Sequence, residues 1–360
     1  MSASNVMTPA EAFPPGEFLR DELEERGWSA VEFAGILGRP VQAVSEILNG
    51  KKEITPETAL ALGAALSTSA ELWLNLQAMY RLHQARSDDF DRTPVARRAR
   101  LRALVPVREL QKLQWLPDTG DLDELEAAVC DLLGIGSPAE EPAFAVAARR
   151  TKSPVEFTPE QTAWIAQVKR VASGRVSGSF DVTRVAELGA SLVRRIRDPH
   201  DLENLHSWLA DYQVALVIEQ PIMGSKIDGA VLFGDDGIPV VGLSTRGDRM
   251  DGFVFTLLHE LAHLALRHVA PGGVRIDEDV AAGGGPDIEV AANELAGSWV
   301  FPGGFDVGPG RPRMPSVLAA AREYGVHASF VIGRLQRDEI LGWGDLRRHV
   351  PKVRPFVRFR

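Results

Sequence analysis

The pentad His259-Glu260-Leu261-Ala262-His263 narrows the folding of this chain more than any other stretch of its 360 residues. It lies within Phe253–His268, where Phe255, Leu257, Leu258, Leu261, Ala262 and Leu266 predict a largely buried helix. Residues four apart on a helix share a face, so both imidazoles can point at one ion. Glu260 stands beside them, where a carboxylate can take a proton from a metal-bound water. Such a pattern arises by chance in only about one chain in a hundred of this length. The competing view is a pair of histidines satisfied by ordinary hydrogen bonds.

A zinc ion that keeps one position open for water needs a third protein ligand. His268 follows His263 by five residues, which turns it about 140° away on the same helix. A better source is Asp287–Ala296, a second helix whose Ala291, Ala292 and Ala296 permit close packing against the first. Glu289, 26 residues past His263, is the expected ligand, with Asn293 one turn on and on the same face. Asn293 and Asp251 are expected to orient the ligands rather than to bind the ion. Glu294 is the rival to Glu289 and is rotated from it by about 140°. The expected ion is zinc, one per chain, with manganese an alternative because a two-histidine, one-glutamate set tolerates several metals. Glu260 then acts as general base and proton carrier in hydrolysis. An oxyanion stabiliser is also required, and Arg246, His268, Tyr324, His327 and Arg334 are unranked candidates.

The other end of the chain, roughly Pro15–Arg86, is dense in helix signals. Leu19 and Leu23 share a helical face and Gly27 is a stop. Ser29 with Glu32 forms a capping box for a short helix that carries Phe33, Ala34 and Leu37 and ends at Gly38. Pro40 suits the first position of the next helix, where Val41, Val44 and Leu48 share a face and Gly50 closes it. Thr55-Pro56-Glu57 and Ser69 with Glu71 begin a fourth and a fifth helix. Two short helices meeting at a glycine turn inside a five-helix unit make a helix-turn-helix, with a plain bundle as the alternative. If Pro40–Asn49 enters a major groove, Gln42, Ser45 and Glu46 reach base edges. Asn49, Lys51 and Lys52 suit the phosphate backbone, and Arg39 joins the two lysines in a local basic cluster. A lone unit offers few contacts, so a homodimer on a two-fold operator is expected.

Charge bears on this reading. The net charge of −9 argues against bulk coating of nucleic acid, and residues 1–87 hold 7 basic and 11 acidic side chains. DNA binding must therefore rest on local placement. Arg92, Arg97, Arg98, Arg100, Arg102 and Arg108 form a run without an acid, which is either a solvated face or a second phosphate contact. Three regions follow: a DNA-binding domain at 1–87, a basic helical connector and linker at 88–157, and a metal-bearing domain at 158–360. The fold class is mainly α with a small β-sheet. Val214–Ile218 and Pro239–Leu243 read as strands around a Gly-Asp-Asp-Gly turn. The single cysteine, Cys130, excludes a disulfide framework. No export signal or membrane span is visible, so the expected location is the cytoplasm.

Both ends of the chain resemble known families. Pro15-Gly16-Glu17, Glu24–Trp28, Ile47–Lys52, Ile54-Thr55 and Trp73–Gln77 resemble the HigA-type antitoxin branch of the Xre-like helix-turn-helix regulators. Asp251–Ala296 resembles the ImmA/IrrE-type zinc metallopeptidases, and His327–Gln336 resembles regulators carrying this fusion. Ser298-Trp299-Val300-Phe301-Pro302 departs from the Met-Pro ending usual in that peptidase family. The resemblance implies a zincin-like α+β domain that cleaves a repressor, a regulatory protein or the chain itself, in cis or in trans, to control transcription. The alternative it leaves open is a non-enzymatic, antitoxin-like repressor with a toxin partner, whose metal domain only senses or scaffolds.

Overall fold

A computed structural model describes residues 13–85, 93–149, 156–270, 273–278, 287–308 and 311–359. The chain divides into two units, 1–97 and 98–360. The expected domain boundary at residue 87 and Arg92 of the basic run lie outside the described residues.

The first unit is built from α1 (Pro15–Arg26), α2 (Ala30–Leu37), α3 (Val41–Leu48), α4 (Pro56–Leu66) and α5 (Ala70–Ala85). Local chemistry sets each start and stop. The Ser29 hydroxyl accepts from the Glu32 N–H while the Glu32 carboxylate accepts from the Ser29 N–H. Gly38 ends α2 with φ of 62°, a left-handed conformation that glycine adopts at little cost, and this sets the turn into α3. Thr55 caps α4 by accepting from the Thr58 N–H. Leu19, Leu23, Phe33, Ala34, Val44, Ile47, Leu62 and Trp73 close the core.

The second unit opens with α6 (Pro94–Leu104), which begins just before the boundary, α7 (Val107–Lys112), α8 (Leu122–Leu133), α9 (Ala143–Arg149), α10 (Pro159–Ala172), α11 (Val185–Arg195) and α12 (Leu205–Ala210). Three strands follow, β1 (Ala215–Glu219), β2 (Ile227–Phe233) and β3 (Pro239–Ser244). Then come α13 (Met250–Ala265), β4 (Val274–Glu278), α14 (Asp287–Val300), α15 (Met314–Tyr324) and α16 (Ala328–Arg337). The sheet order is β1-β3-β2-β4, with β1 parallel to β3 and the other pairs antiparallel.

Side chains alternate across a strand, and both faces of this sheet are covered. Leu216, Ile218, Val231, Val241 and Leu243 pack toward α11, α13, α14 and α16. Ala215, Val217, Ala230, Leu232 and Val240 pack toward α8 and α10. Leu101, Leu110, Val129 and Phe144 join this second core, so residues 98–148 are part of the unit's packing. Among the described residues no helix is long and apolar enough to cross a membrane.

The strands differ in number and connection from the expectation. Gly234–Gly237 joins β2 to β3, and β1 reaches β3 in parallel rather than through that turn. β2 escapes a pattern reading because Asp228 and Gly229 are residue types depleted in strands. β4, Val-Arg-Ile-Asp-Glu, escapes it because three of its five residues are charged, which strands disfavour. Those two irregular strands are the ones that frame the candidate site.

Candidate metal centre and recognition helix

Helix α13 is packed on nearly every side, against α11, α14, α16, β2 and β3. Its polar pentad is therefore deep, with His259 1%, Glu260 0% and His263 0% exposed. Isolated polar groups at that depth are costly, so the arrangement of their partners decides what they are for. On β2, Gly229 lies under the helix, and a Cβ there would overlap Glu260 Oε1 and Thr256. The missing side chain is what lets the Glu260 carboxylate rest over the strand.

Three potential ligand atoms converge. His259 Nε2 and His263 Nε2 are 2.9 Å apart, and Glu289 Oε2 lies 3.2 Å from the first and 3.4 Å from the second. Ligands about 2.0–2.1 Å from a tetrahedral ion stand about 3.3 Å from one another, so the spacing fits one zinc. The other ring nitrogens point the same way. Asn293 Oδ1 lies 3.1 Å from His259 Nδ1, and an amide oxygen can only accept, which places the ring proton on Nδ1. His263 Nδ1 lies 2.9 Å from His268 Nδ1. With the His259 proton directed outward, its Nε2 lone pair faces the same point as His263 Nε2 and a carboxylate oxygen, an arrangement that suits a cation. Burial raises the Glu289 pKa, but the facing His259 and His263 rings and the Arg275 guanidinium outweigh it and hold the carboxyl ionised.

The structure thus brings together His259, His263 and Glu289. Asn293 sits against His259, four residues after Glu289 on α14. Glu294, the rival ligand, is exposed on another face. Asp251 lies eight residues before His259 and makes a bidentate pair with Arg249, at 2.6 and 3.1 Å, rather than bonding a ligand histidine. His268 belongs near the centre after all: α13 ends before it, Arg267 takes φ of 57°, and the chain turns back so that His268 meets His263. The assumption of a continuing helix is what hid this. Burial lowers the His268 pKa, as does the adjacent His263, which favours its neutral form.

Two residues near the site are absent from the sequence-based expectation. Gly229 is one. The other is Arg275, whose side chain shares a sheet face with Val231, its register partner, and pairs with the second oxygen of Glu289. Strand alternation around Val274 and Ile276 was the available clue. Of the remaining oxyanion candidates, Arg246 pairs with Asp228 and Arg334 with Asp338. The Tyr324 hydroxyl accepts from the Asp306 N–H, and His327 caps α16 by accepting from the Ser329 N–H.

In the first unit, α3 buries Val44 and Ile47 and exposes Gln42 and Ser45, with Asn49 exposed at its C-terminal cap. Gln42 donates to Glu46 Oε1 at 3.1 Å, and Asn49 donates to the Ser45 carbonyl at 2.7 Å, so these side chains are held along the helix. Lys51 and Lys52 are exposed just past its end. Arg39 is half-buried and donates to Thr58 Oγ1 at 3.0 Å, which ties the turn to α4.

Comparison with known proteins bears on this unit. A helix-turn-helix family model matches residues 19–73. The helix-turn-helix-type transcriptional regulator YddM of Escherichia coli K12 is 35% identical over 71 residues, 20% of this chain and 76% of that protein. Virulence-associated protein I of Dichelobacter nodosus is 38% identical over 78 residues, 21% of this chain and 72% of its own length. The solved structure of the Pseudomonas aeruginosa antitoxin HigA with the higBA promoter is 34% identical, over 23% of this chain and 90% of that one, with a TM-score of 0.22. Through its N-terminal unit, this chain belongs to the helix-turn-helix family.

Proposed function

We propose that the chain is a DNA-binding transcriptional regulator whose second unit holds one zinc ion. The observation that carries the DNA part is the family match over residues 19–73, together with an α3 that presents Gln42, Ser45 and Asn49 to solvent. In this reading a homodimer docks α3 in successive major grooves of a two-fold operator. Gln42, Ser45 and Glu46 read bases, and Asn49, Lys51 and Lys52 hold phosphates while Arg39 braces the turn. The metal part rests on the convergence of His259, His263 and Glu289. Manganese would suit the same donors.

Two uses of that centre follow, and they differ in chemistry. In the first, the unit is a zincin-like endopeptidase of the ImmA/IrrE type that cuts a repressor or the chain itself. A bound zinc would polarise the peptide carbonyl and acidify a water. Glu260 would accept that water's proton at a carboxylate oxygen and pass it to the leaving amine. His259 and His263 would be held in their ligating tautomers by Asn293 and His268. In the second use, the unit does not hydrolyse anything: the ion senses or scaffolds, and the chain represses transcription and neutralises a toxin. The helix-turn-helix relatives favour this second use, as does the burial of both histidines with Arg275 lying across Glu289. The hydrolytic use rests on Glu260.

One experiment separates them. Operator affinity and self-cleavage are followed with zinc-loaded wild type, with chelated protein and with Glu260→Gln. Cleavage lost in Glu260→Gln by at least about a hundredfold, with zinc retained, establishes the peptidase. No cleavage by loaded wild type, with operator affinity changed on chelation, establishes the sensing repressor. Failure to bind any two-fold DNA site sinks the whole proposal.

A further inference from the structure

The second unit also encloses a cavity of about 540 Å³ beside α13, α14 and α16. This is the size of small-molecule sites. Its wall is mainly apolar and aromatic, with Phe255, Phe301 and Phe330 inside and Trp343 half-exposed. Four guanidinium groups line it, and three already have carboxylate partners. Arg246 pairs with Asp228 at 2.7 Å, Arg249 with Asp251 at 2.6 Å and Arg334 with Asp338 at 2.7 Å. Arg337 makes no hydrogen bond or ion pair among the described residues and lies over the Phe255 ring, 4.8 Å from its centroid. Burial, and then the neighbouring Arg334, lower its pKa, and the nearby Asp338 offsets them only in part. The two other acids of the wall do not supply its partner. Asp248 accepts from the Val353 and Arg354 N–H groups, and Glu294 is turned to solvent.

An apolar chamber with one unneutralised cation has a complementary ligand class. We propose that this cavity binds a small amphipathic carboxylate, its apolar body among Phe255, Phe301 and Phe330 and its carboxylate on the Arg337 guanidinium. A planar guanidinium matches a carboxylate in two parallel hydrogen bonds, and a single free arginine matches a single negative charge. The site is distinct from the metal centre, although Asn293, which bonds His259, forms part of its wall. The proposal does not rest on any use of the zinc.

Calorimetric titration of the full chain with decanoate tests it, with decanol as the neutral control of equal length. Wild type is expected to bind one decanoate saturably, and both decanol and the Arg337→Gln variant to bind about tenfold to a hundredfold more weakly. Gly297 supplies a second variant. It lines the cavity from α14, and a Cβ there would meet nothing nearer than Arg334 Nη1 at 3.8 Å. Gly297→Leu therefore occupies the space without crowding the fold and should abolish decanoate binding. An acetylated leucyl-leucine with a free carboxylate, titrated in parallel, distinguishes a peptide terminus from a free acid by which binds more tightly. Absence of decanoate and dipeptide binding by wild type overturns the proposal. So does equal binding of decanol and decanoate, or binding unchanged in Gly297→Leu. Zinc content, measured on the same samples, reports separately on the metal centre.

Discussion

Helices α3 and α13 both carry a row of polar side chains at helical spacing, and they treat that row in opposite ways. On α3 and its C-terminal cap, Gln42, Ser45 and Asn49 face water and bond only to one another or to Glu46. On α13, His259, Glu260 and His263 are no more than 1% exposed and lean on Asn293, His268, Glu289 and the bare backbone at Gly229. A recognition surface can be built from one element, because water satisfies whatever its target does not. A buried polar centre cannot, because every lone pair must find a partner from elsewhere in the fold. The first kind of site is tolerant of change and separable from stability. The second is neither.

The largest expected effect tests that difference directly. Chelation, or His263→Ala, should remove the proposed zinc and lower the melting transition of the second unit by on the order of 10 °C. The first unit's transition should stay in place, and calorimetry with metal analysis reads both. Equal loss in both units would break the comparison. Next, Asn293→Ala leaves all three ligands intact yet should weaken zinc binding about tenfold to a hundredfold, measured by competition with a chromophoric chelator. Unchanged affinity would mean that the His259 ring is held by packing alone.

A smaller effect follows from pH. Burial is the chief cause of a lowered pKa at both His206 and His327. Their folded forms bind protons less readily than the unfolded chain, whose histidines titrate near 6.5. Their contribution to stability is therefore complete above that pH and is lost as pH falls through it. Melts of the chelated protein at pH 7.5 and 5.5 should show the second unit losing stability on acidification, and His206→Gln should reduce that loss. A slope unaltered by His206→Gln would remove this residue from the account.

The smallest effects belong to the first unit. Ser29→Ala breaks the capping box and should cost about 1 kcal/mol in that unit's melt, with no change in zinc content. Lys51→Ala with Lys52→Ala should leave stability within about 0.5 kcal/mol. The same pair should reduce the salt slope of operator binding by about 2, read by fluorescence anisotropy across salt concentrations. A melt strongly lowered by the two lysine changes would show that this face too is part of the folding machinery.

How much of this was legible in advance follows the same division. Ser29, Glu32, Gly38 and Thr55 announce helix ends because a cap is a contact between residues three or four apart, and sequence displays such contacts. The i and i+4 histidines on α13 and the i and i+4 pair Glu289 and Asn293 on α14 were readable for the same reason. His268 was misplaced because its position depends on where α13 stops and on the left-handed turn at Arg267. β2 and β4 were missed because their irregular residues answer to other elements: Gly229 to Glu260, and Arg275 to Glu289.

The sequence by itself determined the helices of the first unit, the glycine turn between α2 and α3, and the two histidines with the carboxylate between them. These are consequences of helical period and capping, which act within a few residues. Only the tertiary structure decided that Glu289 rather than Glu294 lies beside the two histidines, that Asp251 serves Arg249, and that Arg337 is left facing an apolar cavity. Those outcomes depend on which face of one element meets another across the sheet, and packing of distant segments, not local propensity, selects that face.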